Sequence, residues 1–216
     1  MKIYKNMFTQ MTTMEELLIA WDMFKKDKRN REDVQAFEYK LEDNLFDLHS
    51  DLVNGQYRHG TYNRFYVRDP KIREIHKASV RDRIVHHLLS RWLVPVFEPT
   101  FIHDSYSSRV GKGTHRAVEQ ISRMLKKVRG RSRTCYVLKC DIRKFFASID
   151  HAILLEIIRQ RIKDNDLVCL IENIVESFEN GANSRERERE SMAHLARRGP
   201  DVRLGISPRN FSRTYT

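Results

Sequence analysis

Lys139-Cys140-Asp141-Ile142-Arg143-Lys144-Phe145-Phe146-Ala147-Ser148-Ile149-Asp150-His151 is the stretch whose reading decides the fold. Thr134 to Cys140 is short, apolar and β-prone, and it runs directly into Asp141. That pattern predicts a buried central strand with a carboxylate at its mouth. Two aromatics follow, and then Asp150, an acid suited to cap a helix carrying Ile153, Leu154, Ile157, Ile158 and Ile162. A carboxylate on a rigid sheet is what a two-cation phosphoryl-transfer site needs, because ions roughly 4 Å apart must be clamped in fixed geometry. Asp141 is therefore a candidate metal ligand. The plainer alternative is a strand-end acid followed by a capping acid.

Working outward, Met14, Leu17, Leu18, Trp21 and Phe24 have helical spacing, and Thr13 with Glu16 makes a capping box. Val34, Phe37, Leu41, Leu45, Leu48 and Leu52 predict a second helix, stopped by Gly55 and paired with the first. From Thr61 the texture becomes that of a β-hairpin around Asp69-Pro70-Lys71, with Ile72 to His76 returning. Val80 to Trp92 restores helical spacing until Pro95 interrupts it. Another helix is predicted from Thr114 to Gly130 with Ala117, Val118, Ile121, Met124, Leu125 and Val128 facing inward, and a further one over Leu167 to Phe178. Beyond Gly181 an Arg/Glu alternation replaces any apolar period.

The chain of 216 residues carries 40 Lys+Arg against 29 Asp+Glu, a formal net charge of +11, so a polyanion is the first partner to consider. No apolar run approaches the roughly 18 residues of a spanning helix, and no secretory leader is visible at Met1 to Gln10. Cys135, Cys140 and Cys169 form no C-x-x-C pair, which favours reduced thiols and a cytoplasmic location. Cys135 and Cys140 fall on opposite faces of the expected strand, and His86 with His87 points apart on a helix, so neither pair suits a metal. The two histidines read as structural.

Cations crowd two places. A hairpin bearing Arg68, Lys71 and Arg73 can fold over a triphosphate, with planar guanidinium groups on phosphate oxygens; for Lys71 at the turn tip a solvated charge is an equal reading. Asp82 with Arg83 reads as a brace for that region rather than a substrate contact. In the loop before the Thr114 helix, Gly111 and Gly113 permit close backbone approach, Thr114 can cap, and Arg109, Lys112, His115 and Arg116 supply charge for a nucleic-acid strand.

Three blocks in this order resemble the reverse transcriptases of group II introns, retrons and diversity-generating elements. Ile72-Arg73-Glu74-Ile75-His76 with Arg81-Asp82-Arg83-Ile84-Val85-His86-His87 is similar to the first fingers block, and Ser105-Tyr106-Ser107-Ser108-Arg109-Val110-Gly111-Lys112-Gly113-Thr114-His115-Arg116-Ala117 to the next. The Asp141 stretch is similar to motif A of the palm. The resemblance spans about Lys2 to Phe178. It implies an α+β chain with an incomplete right-hand polymerase fold, helix-rich, with a β-hairpin and a truncated palm sheet. Residues 1–57 would form an amino-terminal helical segment, 58–133 the fingers, 134–180 a partial palm, and 181–216 an aberrant, disordered tail.

The resemblance further implies that Asp141 and the Ile142 carbonyl bind magnesium, and that Phe146 walls off a ribose 2′-OH. Arg68 and Arg73 would hold the deoxynucleoside triphosphate, while Arg109, Gly111, Lys112, Gly113, His115 and Arg116 would grip the template. RNA template and DNA primer are the implied partners, with no membrane. The chain has no Y-x-D-D, the hairpin that supplies the remaining carboxylates in that family, so its magnesium site would be incomplete. As written, the polypeptide is expected to be an inactive product of a mobile element unless a complementary polymerase fragment completes it. The alternative is a non-catalytic, maturase-like RNA-binding remnant.

Overall fold

A computed structural model describes residues 2–130, 136–142 and 145–178. Its architecture is α+β: helices around one apolar core, with a single two-stranded antiparallel hairpin among the described residues. The tail expected over 181–216, together with Thr134, Cys135, Arg143 and Lys144, lies outside the described residues.

The helices are α1 (Met7–Met11), α2 (Met14–Lys25), α3 (Glu32–Tyr39), α4 (Leu41–Val53), α5 (Val80–Phe97), α6 (Thr114–Arg129), α7 (His151–Arg161) and α8 over 165–178. Thr13 caps α2 by accepting from the Glu16 N–H at 3.3 Å, but Glu16 does not close the box. Its carboxylate instead reaches the Trp92 indole N–H at 2.9 Å and Arg91 Nε at 3.0 Å, fastening α2 to α5. Leu17, Ala20, Trp21 and Phe24 form the buried stripe of α2, which packs with Leu45, Leu48 and Leu52 of α4 and Ile84 and Leu88 of α5. Each such side chain removed from water contributes about 1.5–3 kcal/mol.

Two helix boundaries differ from the sequence expectation. The stripe from Val34 to Leu52 is two helices, because Lys40 leaves the helical region (φ −120°, ψ 42°), and the Asn44 amide N–H bridges the break to the Phe37 carbonyl at 3.0 Å. A continuous apolar period survives a one-residue kink. Conversely, Pro95 does not end α5, which continues to Phe97. Without an N–H, Pro95 cannot bond to the Arg91 carbonyl, so the last turn of α5 continues with one ladder bond fewer.

The first residues are stitched to the start of α8. Tyr4 N donates to the Arg161 carbonyl and Lys163 N to the Tyr4 carbonyl, each at 2.8 Å. Buried Asp164 accepts from Met7 N at 2.6 Å and Phe8 N at 2.9 Å while also capping α8 through Leu167 N at 3.2 Å. One carboxylate thereby satisfies amides at the start of two helices.

The buried strand expected over Thr134 to Cys140 is corrected within the described part: residues 136–140 are not a strand, and Tyr136, Val137 and Leu138 are 92%, 78% and 87% exposed. A lone extended segment has no ladder to satisfy its amides, and no described strand lies beside it. The inward face expected for α6 is likewise absent, since no residue of α6 is buried and Val118, Ile121 and Val128 are 58%, 56% and 40% exposed. Periodicity marks the apolar face, but burial requires an element to cover it.

Candidate nucleic-acid interface

The hairpin pairs β1 (Asn63–Asp69) with β2 (Lys71–Lys77), closing at Pro70. Its register sets Val67 opposite Arg73 and Arg68 opposite Ile72. Opposite residues share a face and neighbours alternate, so Arg73 stands with Lys71, Asp69, Val67, Phe65 and Ile75, whereas Arg68 stands with Ile72, Tyr66, Arg64, Glu74 and His76 on the other side. The structure thus brings Arg73 together with Lys71 and does not bring it together with Arg68. All three are exposed and carry no ion pair among the described residues. On the Arg68 face, Arg64 is already bridged to Glu74 at 3.2 Å.

What aims the hairpin is a buried hub on α5. Asp82, 1% exposed, accepts from the Tyr57 hydroxyl at 2.8 Å, Ser79 Oγ at 2.6 Å and Gly60 N at 3.3 Å. Burial and the neighbouring Asp82 carboxylate push the Tyr57 hydroxyl far above the usual phenol range. A Cβ on Gly60 would meet Asp82 Oδ2 at 3.0 Å, so this glycine is held by close approach. Asp33 clamps the far end of β2 through Lys77 at 2.8 Å and also pairs with Arg83. Burial raises the Asp33 pKa, yet the Lys77 and Arg83 contacts outweigh that and hold it below the usual carboxylate range. Asp82 and Arg83 therefore act inside the fold as braces.

A ring cluster completes the hairpin base. His59 stacks on Tyr62 at 4.9 Å and on His86 at 5.2 Å, and Phe178 of α8 lies 5.8 Å from Tyr62 and 5.3 Å from His76. His86 is internal, and His87 meets Phe24 edge-on at 5.7 Å, which fits their structural reading. No spacing in the sequence pairs His59 with His86, 27 residues away.

The loop before α6 separates its cations by role. Arg109 is consumed internally: Nε donates to Glu98 Oε1 at 2.7 Å, Nη1 to the Ile102 and Ser105 carbonyls at 3.0 and 3.1 Å, and its side chain is 11% exposed. It shapes the loop. Lys112 donates to the His103 carbonyl at 2.7 Å and lies 4.9 Å over the Tyr106 ring. Gly111 and Gly113 have φ of +71° and +98°, a region that other residues enter only with strain, and open space surrounds both. Gly113, not Thr114, is the N-cap of α6, so the first amides of the helix have no side-chain cap. His115 and Arg116 follow, exposed.

Asp141 and Ile142 are exposed in an irregular segment, with Ile142 at 63%. Phe145 and Phe146 sit in a short 3-10 turn, edge to face at 5.3 Å, with Phe146 84% exposed. Asp150 caps α7 through Ile153 N at 3.0 Å, as its position predicts. Among the described residues no group of three His, Cys, Asp or Glu side chains is placed to hold a metal ion. These donors do not fit a magnesium pair by themselves.

A cavity of about 570 Å³ between the end of α4 and α8 is lined by Arg58 but also by Asp166, Glu172 and Glu176, and it includes none of the metal-, nucleotide- or template-binding candidates named from sequence. Its acidic wall does not suit a polyanion. No helix among the described residues is long and apolar enough to cross a membrane.

No protein-family model matches the chain. It is similar to Protein YkfC of Escherichia coli (strain K12), with 27% identity over 126 residues that cover 57% of this chain and 33% of that protein. The chain thus spans about a third of the length of the curated relative it matches.

Proposed function

We propose that the chain carries the fingers and first palm motif of an RNA-directed DNA polymerase, with Lys71 and Arg73 on the triphosphate and the loop before α6 on the template. The observation that carries this reading is the hairpin register, which places two unpaired cations on one exposed face beside Val67, on an arm braced by Asp82. Cations two apart on a strand converge on one polyphosphate, and their exposure leaves their hydrogen-bonding capacity open. In this reading Arg73 supplies a bidentate fork, Lys71 a point charge, and Phe146 the wall beside the sugar. Asp141 would contribute one carboxylate to magnesium, with the Ile142 carbonyl. Because the described donors do not make up a two-ion site, no chemical step is assigned to this chain alone.

The same observation supports a second reading, a non-catalytic RNA-binding protein, since exposed cations bind phosphate without any metal. One experiment separates the two. RNA binding and RNA-templated primer extension are measured with the full chain, alone and mixed with a polypeptide carrying a Y-x-D-D hairpin. The polymerase reading expects salt-dependent RNA binding alone, and extension only in the mixture, abolished by Asp141→Ala. Binding without extension in either case selects the second reading. Failure to bind RNA at low salt sinks both.

A further inference from the structure

Residues 136–142 read Tyr-Val-Leu-Lys-Cys-Asp-Ile and form an irregular, exposed stretch between α6 and α7. Among the described residues, none of their backbone N–H or C=O groups has a backbone partner, and Lys139 and Asp141 have no ion pair. Their composition nevertheless suits a strand. With a period of two, Tyr136, Leu138, Cys140 and Ile142 fall on one face, while Val137, Lys139 and Asp141 fall on the other. An unpaired, β-prone segment of this kind is a template for pairing with another chain.

The order of its charges selects the partner. In a two-fold antiparallel pair of identical strands, opposite residues share a face and one residue lies on the axis, opposite its own copy. An axis at Lys139 sets lysine against lysine, and an axis at Asp141 sets aspartate against aspartate. An axis at Leu138 sets Lys139 against the partner's Val137. An axis at Cys140 sets Lys139 against the partner's Asp141, and Asp141 against the partner's Lys139. The same register sets Leu138 against the partner's Ile142, and the reverse, on an apolar face with Cys140 at its centre. A parallel pair in register aligns like charges throughout.

We propose that residues 136–142 pair with the same segment of a second copy of this chain, antiparallel about Cys140. Opposite charges and apolar side chains facing each other across the strands favour that register, and like charges directly opposite disfavour its neighbours. A ladder this short is marginal, so the dimer is weak and forms with rising concentration. The pairing does not rest on the polymerase reading. It competes with that reading at Asp141, because a carboxylate held by the partner's Lys139 is not open to a cation.

Sedimentation velocity of the full chain over a concentration series, under reducing conditions, measures the dimer. Lys139→Asp sets aspartate against aspartate at both charged positions and is expected to lower the association constant by about tenfold, and Lys139→Asp/Asp141→Lys to restore it. Both side chains are exposed, and circular dichroism verifies the fold of each variant. A second measurement reads the axis through the exposed Cys140 thiol. Oxidised glutathione takes two electrons and two protons from a pair of thiols, leaving an intermolecular disulfide and two reduced glutathiones. Residues directly opposite in an antiparallel pair lie within disulfide reach. The disulfide-linked dimer is expected in the unaltered chain, in Cys135→Ser and in Cys169→Ser, and is expected to be lost in Cys140→Ser. A chain that stays monomeric overturns the pairing, as does Lys139→Asp associating as well as the unaltered chain or the double exchange failing to restore association. Absence of the disulfide, or equal yield in Cys140→Ser, overturns the register.

Discussion

His59 and His86 face each other Nε2 to Nε2 at 3.1 Å, their rings within 13° of parallel. His59 Nδ1 lies 2.7 Å from the Gly60 carbonyl, which can only accept, so the His59 proton sits on Nδ1 and His86 supplies the proton between the rings. Two imidazolium ions cannot occupy that arrangement. Burial, then His59, His87 and Arg83, outweigh the attraction of Asp82 and lower His86 to about 4.

The sign for stability follows from that depression. The unfolded chain takes up the His86 proton below about pH 6.5 while the folded chain does not until about pH 4, so the contribution is full above pH 6.5 and is lost as pH falls toward 4. The loss is on the order of 3 kcal/mol. Urea denaturation at pH 7.5 and pH 5 should show about 2 kcal/mol of it, and His86→Asn should flatten the difference between the two. An unchanged difference in the variant would place the titration elsewhere.

Removing the hub should cost more than removing one of its bonds. Tyr57→Phe deletes a single donor to a buried carboxylate and is expected to destabilise by about 1.5–3 kcal/mol. Asp82→Ala leaves the Tyr57, Ser79 and Gly60 donors without their acceptor and should cost about 3–5 kcal/mol. Thermal or urea unfolding of the two variants tests the order, and a smaller effect for Asp82→Ala contradicts the hub.

On the hairpin, the register makes Arg68 the outlier. Lys71→Ala and Arg73→Ala should each weaken binding of a deoxynucleoside triphosphate by about tenfold, whereas Arg68→Ala should leave it unchanged. Titration calorimetry with the triphosphate measures this. Loss on Arg68→Ala equal to that on Arg73→Ala would mean both faces meet the ligand.

The exposed stripe of α6 predicts a neutral outcome where a core stripe predicts a damaging one. Ile121→Lys should change unfolding free energy by no more than about 0.5 kcal/mol and should lower self-association, because the side chain is 56% exposed. Light scattering with thermal unfolding checks both. A loss of several kcal/mol would show that the stripe is covered in solution.

Local chemistry was legible in the sequence where the signal and its partner are neighbours. Thr13 and Asp150 cap as their spacing predicts, the hairpin closes at Pro70, and Leu17 to Phe24 bury one stripe. Relationships that depend on parity or distance were not. Whether Arg68 shares a face with Arg73 depends on which residues pair across the turn, and five positions of separation do not say. Arg109 looks like its neighbouring cations until Glu98 and two carbonyls enclose it. An apolar period over α6 and residues 136–138 reports a preference for burial, and only a packed neighbour can realise it.

Asp164 has a consequence for the order in which the chain assembles. Its carboxylate and the Met7 amide are 157 positions apart, so this pairing cannot form until nearly all of the described chain has left the ribosome. At about 5–20 residues per second, that is a wait of roughly 8–30 seconds during which the Met7 and Phe8 amides lack their Asp164 acceptor, although α5 is already there for α1 to lie against. The clasp that Asp164 places on α1 is thus among the last of the described contacts to close, and a chaperone that shields the apolar face of α1 would act in that interval.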